Sequence, residues 1–304
     1  AAALAVLVVG ACASDASTGR WRALEPSPLE RTEVGAARIG KFIYAVGGYD
    51  GPNQTTAAVA RYDIDRDRWK RVRSMPIGLN HTQAVAYKGD LYVFGGNTGD
   101  GPSNRLFRYR PKRDRWSRLA NAPTARSAHA LGVIGGRLYV AGGVNDSQAL
   151  DTLEIYDFER KRWTRGPSMS LAREHLAGAV AGGRFYTLAG RASGHGNFAE
   201  VERYDPRTGE WESLPDMETP RGGIAAAVVD GRIAVFGGEV GGGTTIREVE
   251  LYNPATRRWQ SLPPMRTPRH GLGGVSRGNR VYAIGGGPTP GFDFSDTIEY
   301  LDIP

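Results

Sequence analysis

Lys41-Phe-Ile-Tyr-Ala-Val-Gly-Gly48, followed by Ala58-Val-Ala-Arg-Tyr62 and Arg68-Trp-Lys-Arg-Val72, is the stretch that decides how this chain folds. An apolar run rich in β-branched and aromatic residues ends in a glycine doublet; a tyrosine and then a tryptophan follow. The same marks return along the chain. The six tryptophans, Trp21, Trp69, Trp116, Trp163, Trp211 and Trp259, stand at intervals of 48, 47, 47, 48 and 48 residues. Each lies 26 residues before a doublet: Gly47-Gly48, Gly95-Gly96, Gly142-Gly143, the degenerate Ala189-Gly190, Gly237-Gly238 and Gly285-Gly286. Tyr62, Tyr109, Tyr156, Tyr204 and Tyr252 fall seven residues before the last five tryptophans. Three markers in phase mean one supersecondary unit copied six times.

Within a copy there are four short runs bounded by Gly, Pro, Asn and Asp, and no helical stripe of useful length. Such runs are strands, and four strands in a copy of about 48 residues make a propeller blade. The first run of each copy is small (Ala84-Val-Ala, Ala177-Gly-Ala-Val, Ala225-Ala-Ala-Val), as strands converging on a common axis require. The tryptophans belong to the outer strands, where a fully buried indole contributes up to roughly 4–6 kcal/mol from about 150–250 Å² of covered surface. The last copy has Tyr300 but ends at Pro304 before any tryptophan, whereas Trp21 has no tyrosine before it. The spacing therefore predicts an all-β, six-bladed propeller with four antiparallel strands per blade. An N-terminal strand near residues 20–24 completes the last blade.

The hydrophobic run, the Gly-Gly doublet, the Tyr-Asp pairs (Tyr62-Asp63, Tyr156-Asp157, Tyr204-Asp205) and the methionine six residues after Trp (Met75, Met169, Met217, Met265) resemble the kelch family of β-propellers over residues 20–304. The resemblance implies the fold. It leaves function open, because such propellers include enzymes, sugar binders and protein-interaction modules.

The chain is basic, with net charge +7 and pI 9.6. Much of that charge flanks the tryptophans (Arg66, Arg68, Lys70; Lys112, Arg113, Arg115; Arg160, Lys161, Arg162; Arg257, Arg258), where it reads as a solvated outer edge that resists edge-to-edge pairing. A monomer without nucleic-acid partners is expected. One cysteine, Cys12, excludes an intrachain disulfide. Residues 1–11 form an apolar run too short to span a bilayer, and they fit the h-region of a secretory signal that lacks its Met and basic n-region. Val9-Gly-Ala-Cys12 resembles a bacterial lipobox, which implies lipidation at Cys12, a tether over 12–19 and an extracytoplasmic, membrane-anchored lipoprotein, periplasmic or at the cell surface. That address favours sugars, glycans and peptides as ligands and gives no role to nucleotide cofactors.

Ten residues after Trp stand Arg31, Leu79, Arg126, Arg173, Arg221 and Arg269, which read as a structural position that binds loop carbonyls. The next two positions vary, as a site superimposed on a repeat would. They carry Thr32, Asn80, Ser127, Glu174, Gly222 and His270, then Glu33, His81, Ala128, His175, Gly223 and Gly271. In ligand-binding kelch propellers, these positions and the residue after the doublet line the channel mouth. The resemblance thus implies a pocket of Glu33, Tyr49, Asn80, His81, Asn97, Ser127, Glu174, His175, Arg191, Glu239 and His270. Leu79 and Ala189 depart from the pattern, so blades two and four are expected to present their loops differently.

Four of the five histidines, His81, His129, His175 and His270, occupy three consecutive repeat positions, and His195 lies in the loop after the degenerate doublet. The mouth is expected to be polar and titratable near neutral pH. No short-spaced ligand pair such as His-x-Glu exists, so hydrogen-bonding roles are expected, with no metal or other cofactor. Glu239-Val-Gly-Gly-Gly-Thr-Thr-Ile-Arg247 resembles a looser form of the Glu…Arg loop of periplasmic kelch-type sialic acid mutarotases (N-acetylneuraminate epimerases). There a carboxylate would move protons during ring opening and an arginine would hold the sugar carboxylate. The leading expectation is a non-catalytic binding module for a sugar, glycan or peptide. A sugar mutarotase or epimerase using Glu239 and Arg247 is the alternative, and a protein-interaction scaffold a weaker one.

Overall fold

The computed structural model describes residues 19–146, 148–240 and 243–304; Cys12, the apolar run and most of the tether lie outside them. The described residues form six four-stranded antiparallel sheets arranged as blades. In the first blade Gly35–Ile39, Phe42–Val46, Val59–Asp63 and Arg68–Val72 run from the axis outward. The next four blades repeat this order, from Gln83–Tyr87 to Arg115–Arg118, Ala130–Ile134 to Arg162–Arg165, Ala177–Ala181 to Glu210–Leu214, and Ala225–Val229 to Arg258–Leu262. Three blades add a two-residue hairpin after the doublet, among them Arg191–Ala192 with Gly196–Asn197 and Glu239–Val240 with Thr244–Thr245.

The sixth blade takes Gly273–Arg277, Arg280–Ile284 and Ile298–Asp302 from the C-terminal end and Arg22–Ala23 from the N-terminal end. Arg22 pairs with Tyr300 and Ala23 with Glu299. The register refines one detail of the sequence reading. Elsewhere the repeat tyrosine faces the repeat tryptophan, as Tyr62 faces Trp69. With Arg22 opposite Tyr300, it is Leu301 that faces Trp21, so leucine takes the tyrosine's place and Tyr300 stands one residue out of phase.

Small residues at the axis are enforced by proximity. The first strands of neighbouring blades lie side by side, and Gly35–Ile39 lies against Gly273–Arg277 to complete the circle. A Cβ at Gly273 would sit 2.5 Å from the Ala36 Cβ, inside any tolerable contact. Beyond the axis, apolar side chains of adjacent blade faces interlock, as Phe236, Leu251 and Met265 do with Trp21 and Leu301. Trp21 and Trp116 are buried, whereas Trp69, Trp163, Trp211 and Trp259 are half-buried, so the full burial energy applies only to the first pair. The basic residues flanking the tryptophans are exposed.

Each indole also links two blades. Trp69 Nε1 donates to Glu25 O (2.8 Å), Trp116 to Arg73 O (2.9 Å), Trp163 to Ala120 O (2.9 Å), Trp211 to Pro167 O (2.8 Å) and Trp259 to Pro215 O (2.9 Å). Trp21 donates to Pro263 O (3.1 Å) and closes the cycle. Five of these bonds reach back 43 or 44 residues, so the near-constant repeat length keeps each indole within reach of the preceding blade's carbonyl.

The departures at Leu79 and Ala189 do not alter the local backbone in blades two and four, as the sequence suggests they would. Ala189 adopts φ 51°, close to the 60° of Gly47, and Leu79 O accepts from Gly48 N–H at 2.8 Å just as Arg126 O accepts from Gly96 N–H at 2.9 Å. Each departure replaces a side chain and leaves the backbone as it is.

Candidate functional site

At one end of the channel the chain makes a circle of main-chain hydrogen bonds from one residue per blade. His81 N–H donates to Glu33 O (3.1 Å), Ala128 to His81 (2.8 Å), His175 to Ala128 (2.8 Å), Gly223 to His175 (2.9 Å) and Gly271 to Gly223 (2.8 Å); Gly271 O accepts from Val34 N–H (3.2 Å). All six residues are left-handed, with φ of 54°, 49°, 52°, 53°, 68° and 59° from Glu33 round to Gly271. Glycine adopts this conformation freely and other residues at a cost. Glu33, His81 and His175 accept that cost and carry polar side chains at the axis. Gly271 leaves room for one of them, since a Cβ there would lie 2.5 Å from Glu33 Oε1.

The preceding residue in each blade forms a β-bridge with the residue after the doublet: Thr32 with Tyr49, Asn80 with Asn97, Ser127 with Val144, Glu174 with Arg191, Gly222 with Glu239 and His270 with Gly287. These bridges bring the side chains singled out from the sequence to one face. Arg191 is the hub: Nε donates to Glu174 Oε1 (2.8 Å), Nη1 to Glu239 Oε1 (2.5 Å), and Nη2 lies 3.1 Å from His175 Nε2. His175 Nδ1 is bonded to Glu174 Oε2. His81 Nε2 lies 3.4 Å from Glu33 Oε2, and His270 Nε2 lies 3.9 Å from Glu33 Oε1. The rings of His81 and His175 meet edge-on at 4.8 Å, and Tyr49 stands edge-on to both His81 (5.7 Å) and Phe292 (5.3 Å). Asn97 Oδ1 accepts from Gly99 N–H (2.8 Å), holding its own loop. Ser127 is buried beside the circle.

Ionisation follows from this packing. Burial pushes the Glu33 carboxyl upward, but the neighbouring His81, His175, His270 and Arg191 outweigh it and hold it below its ordinary range. Burial likewise opposes the Glu174 carboxylate, and His175 with Arg191 bring it down to about 2. Burial dominates for His81, taking it to about 4 despite Glu33. The site at neutral pH therefore holds carboxylates, a guanidinium and an uncharged His81.

Beneath the variable positions lie the repeat arginines, all buried. Arg221 Nη1 donates to Gly237 O (3.2 Å) and Glu248 O (2.7 Å), and Arg173 Nη1 to Ala189 O (2.9 Å). Arg31 and Arg126 make the same kind of bonds to Gly47 O (3.0 Å) and Gly142 O (2.8 Å), and Arg269 bonds Thr297 O (2.7 Å). The sequence reading missed their partners. Glu154, Glu202, Glu250 and Glu299, almost fully buried, pair with Arg126, Arg173, Arg221 and Arg269. The signal was a glutamate two residues before the repeat tyrosine or its Leu301 substitute. In blade two both partners are apolar, Leu79 and Phe107.

Two expectations, the Glu239–Arg247 pairing and His129 at the mouth, are corrected by the geometry. Arg247 is exposed and lines an outer groove with Trp21, Pro263 and Arg266, so it does not join Glu239, whose carboxylate is taken by Arg191. His195 is exposed in the hairpin of blade four, with Nδ1 3.5 Å from Ser193 O. His129 lies between blades instead of at the mouth, its ring edge-on to Phe94 at 5.1 Å and neither nitrogen partnered among the described residues. Burial, reinforced by Arg126, lowers His129 to about 3. The unfolded chain takes up a proton as pH falls through about 6.5, the folded chain does not, and stability is lost across that window. His129→Leu, which copies Leu176 and Leu272 of other blades, is expected to remove about 2 kcal/mol of this loss between pH 6.5 and 4.5. Denaturation midpoints of parent and variant that fall in parallel would show that His129 is not the group.

Asn197 and Phe292 also reach the mouth without any sequence signal, because they sit in loops outside the repeat register. Asn197 Nδ2 donates to Glu239 O (2.6 Å), and Phe292 is 51% exposed beside Tyr49.

Comparison with known proteins matches the geometry to a family. A model described as the KLHDC2/KLHL20/DRC7 Kelch-repeats domain covers residues 11–172, and the Kelch motif matches residues 172–218 and 220–266. Among similar proteins are Kelch-like protein terF of Aspergillus terreus, 36% identical over 78 residues, and Kelch-like protein 15 of Danio rerio, 30% identical over 92 residues. The matches cover 24% and 30% of this chain, but only 17% and 15% of those proteins' length. The solved structure of YjhT superposes with a TM-score of 0.77 at 19% identity, covering 91% of this chain and 96% of that one. Six blades closed by the N-terminal strand, the repeat markers and these matches together show that the chain belongs to the kelch-repeat β-propeller family.

Proposed function

We propose that this chain is a non-catalytic recognition module that holds an uncharged, polyhydroxylated ligand, a sugar or the end of a glycan, at the mouth of its channel. The observation that carries this reading is the commitment of Arg191 to two carboxylates. Glu33, Glu174 and Glu239 face a single guanidinium, so an acidic ligand meets excess negative charge. Hydroxyl groups, by contrast, meet carboxylate, imidazole and amide partners already held in place by the β-bridges. Phe292, exposed beside Tyr49, offers an apolar ring to the C–H face of a sugar. The apolar run before Cys12 supports an extracytoplasmic address with a lipid at that cysteine, where glycans are the abundant ligands.

A glycan array followed by thermal-shift titration tests the reading. Saturable binding is expected, weakened about tenfold or more in His175→Ala and Glu33→Gln, because each removes a charge-assisted or buried hydrogen bond. It should change little with salt, since the ligand carries no charge. Anomer exchange followed by NMR should not accelerate on adding protein. Acceleration abolished by Glu239→Gln would replace this reading with a sugar isomerase. Binding only to peptides would redirect it to peptide recognition.

A further inference from the structure

We infer that the same mouth binds one divalent transition-metal ion of the zinc class, held by Glu33, His81 and His175 with His270 beside them. One ligand atom from each of the first three lies within 4.8 Å of the others, a span that small side-chain adjustments around one ion would contract. They come from blades one, two and four, and their sequence separation conceals the set.

The second observation concerns the ring nitrogens. His81 Nδ1 lies 2.6 Å from Asn80 Oδ1, His175 Nδ1 contacts Glu174 Oε2, and His270 Nδ1 lies 3.1 Å from Gly287 O. Each acceptor calls for the proton on Nδ1 and so puts the lone pair on Nε2, which in His175 is engaged by Arg191 Nη2. The Nε2 atoms of His81 and His270 face Glu33, and that of His175 faces Arg191 Nη2. Outer partners that fix the tautomer of every imidazole are a property of metal-ligating histidines.

Charge points the same way. Glu33, Glu174 and Glu239 gather around the single Arg191 guanidinium, an excess of carboxylates over cations that a divalent ion would offset. Two or three imidazole nitrogens with one carboxylate oxygen suit zinc, cobalt or nickel, whereas calcium and magnesium require oxygen cages. Binding takes the His175 lone pair from Arg191 Nη2; the guanidinium keeps Glu174 at 2.8 Å and Glu239 at 2.5 Å. The inference does not rest on sugar recognition, because the ion alone is the probe.

The untagged chain, freed of metal by a chelator and dialysed, would be titrated with zinc chloride by calorimetry and with cobalt(II) by visible absorption. One equivalent is expected, with a cobalt band far stronger than that of the aqueous ion and a melting temperature raised by zinc. His81→Ala and His175→Ala should each weaken binding about 100-fold or more, exceeding the loss typical of outer-partner changes. Ala128 already occupies the circle at φ 52°, so alanine is compatible with the backbone, and metal-free melting temperatures check the fold. His195→Ala, in an exposed loop, should bind like the parent. The absence of saturable heat, or binding unchanged in the His81→Ala/His175→Ala double variant, would overturn the site.

Discussion

Deleting residues 20–25 is expected to lower the melting temperature by more than about 10 °C, the larger of two effects anticipated for the scaffold. Trp21 is 4% exposed and packs edge-on against Phe236 at 5.7 Å. Replacing it with alanine alone should cost about 3–5 kcal/mol, the usual range for a buried aromatic. The deletion also removes the Arg22–Ala23 strand and the bond from Leu24 N–H to Ile298 O (3.0 Å). The outer edge of Ile298–Asp302 would then be unpaired, a template for association between copies. Thermal melts and light scattering check both consequences. A melting temperature equal to that of the intact chain would mean that the sixth blade does not depend on its borrowed strand.

Arg221→Leu should cost about 3–5 kcal/mol, because Glu250 would be left buried and charged without its cation. The carboxylate also accepts from Glu218 N–H (2.8 Å) and Thr219 N–H (3.2 Å), so Glu250→Ala is expected to cost a similar amount by stranding the guanidinium and these amides. Blade two supplies the remedy. Leu79 and Phe107 stand there together, and the position of Glu218 is Pro76, which has no N–H to satisfy. Blade one, where Ala60 replaces the glutamate, also has proline there, Pro28. The combination Arg221→Leu, Glu250→Phe and Glu218→Pro should therefore recover most of the loss. Denaturant titrations of the single and combined variants measure the coupling; additive losses would show that the pair is not a unit.

The repeat made the architecture legible because three independent residue types kept the same phase, and a propeller needs each of them. Tyr300 misled by one position because the stretch from doublet to tyrosine varies by a residue among copies, so counting cannot locate strand register there. At the mouth, deviation from the repeat was the right signal. It could not say which way a side chain points, and neighbouring residues diverge: His129 turns between blades while Ala128 stays on the circle. Glu239 and Arg247 are close in sequence, yet the hairpin at 239–245 carries the chain back outward, and the guanidinium that meets Glu239 comes from position 191 of the preceding blade. Such pairings across blades have no sequence signature in a single chain.

The left-handed circle has a consequence for traffic. Just inside it lies a cavity of about 20 Å³, room for about one water molecule, whereas the opposite end of the channel opens into about 300 Å³ lined by residues such as Ala84, Gly132 and Ala226. The hub is thus narrowest beneath the imidazoles, and a ligand that docks among them has its approach from the mouth side.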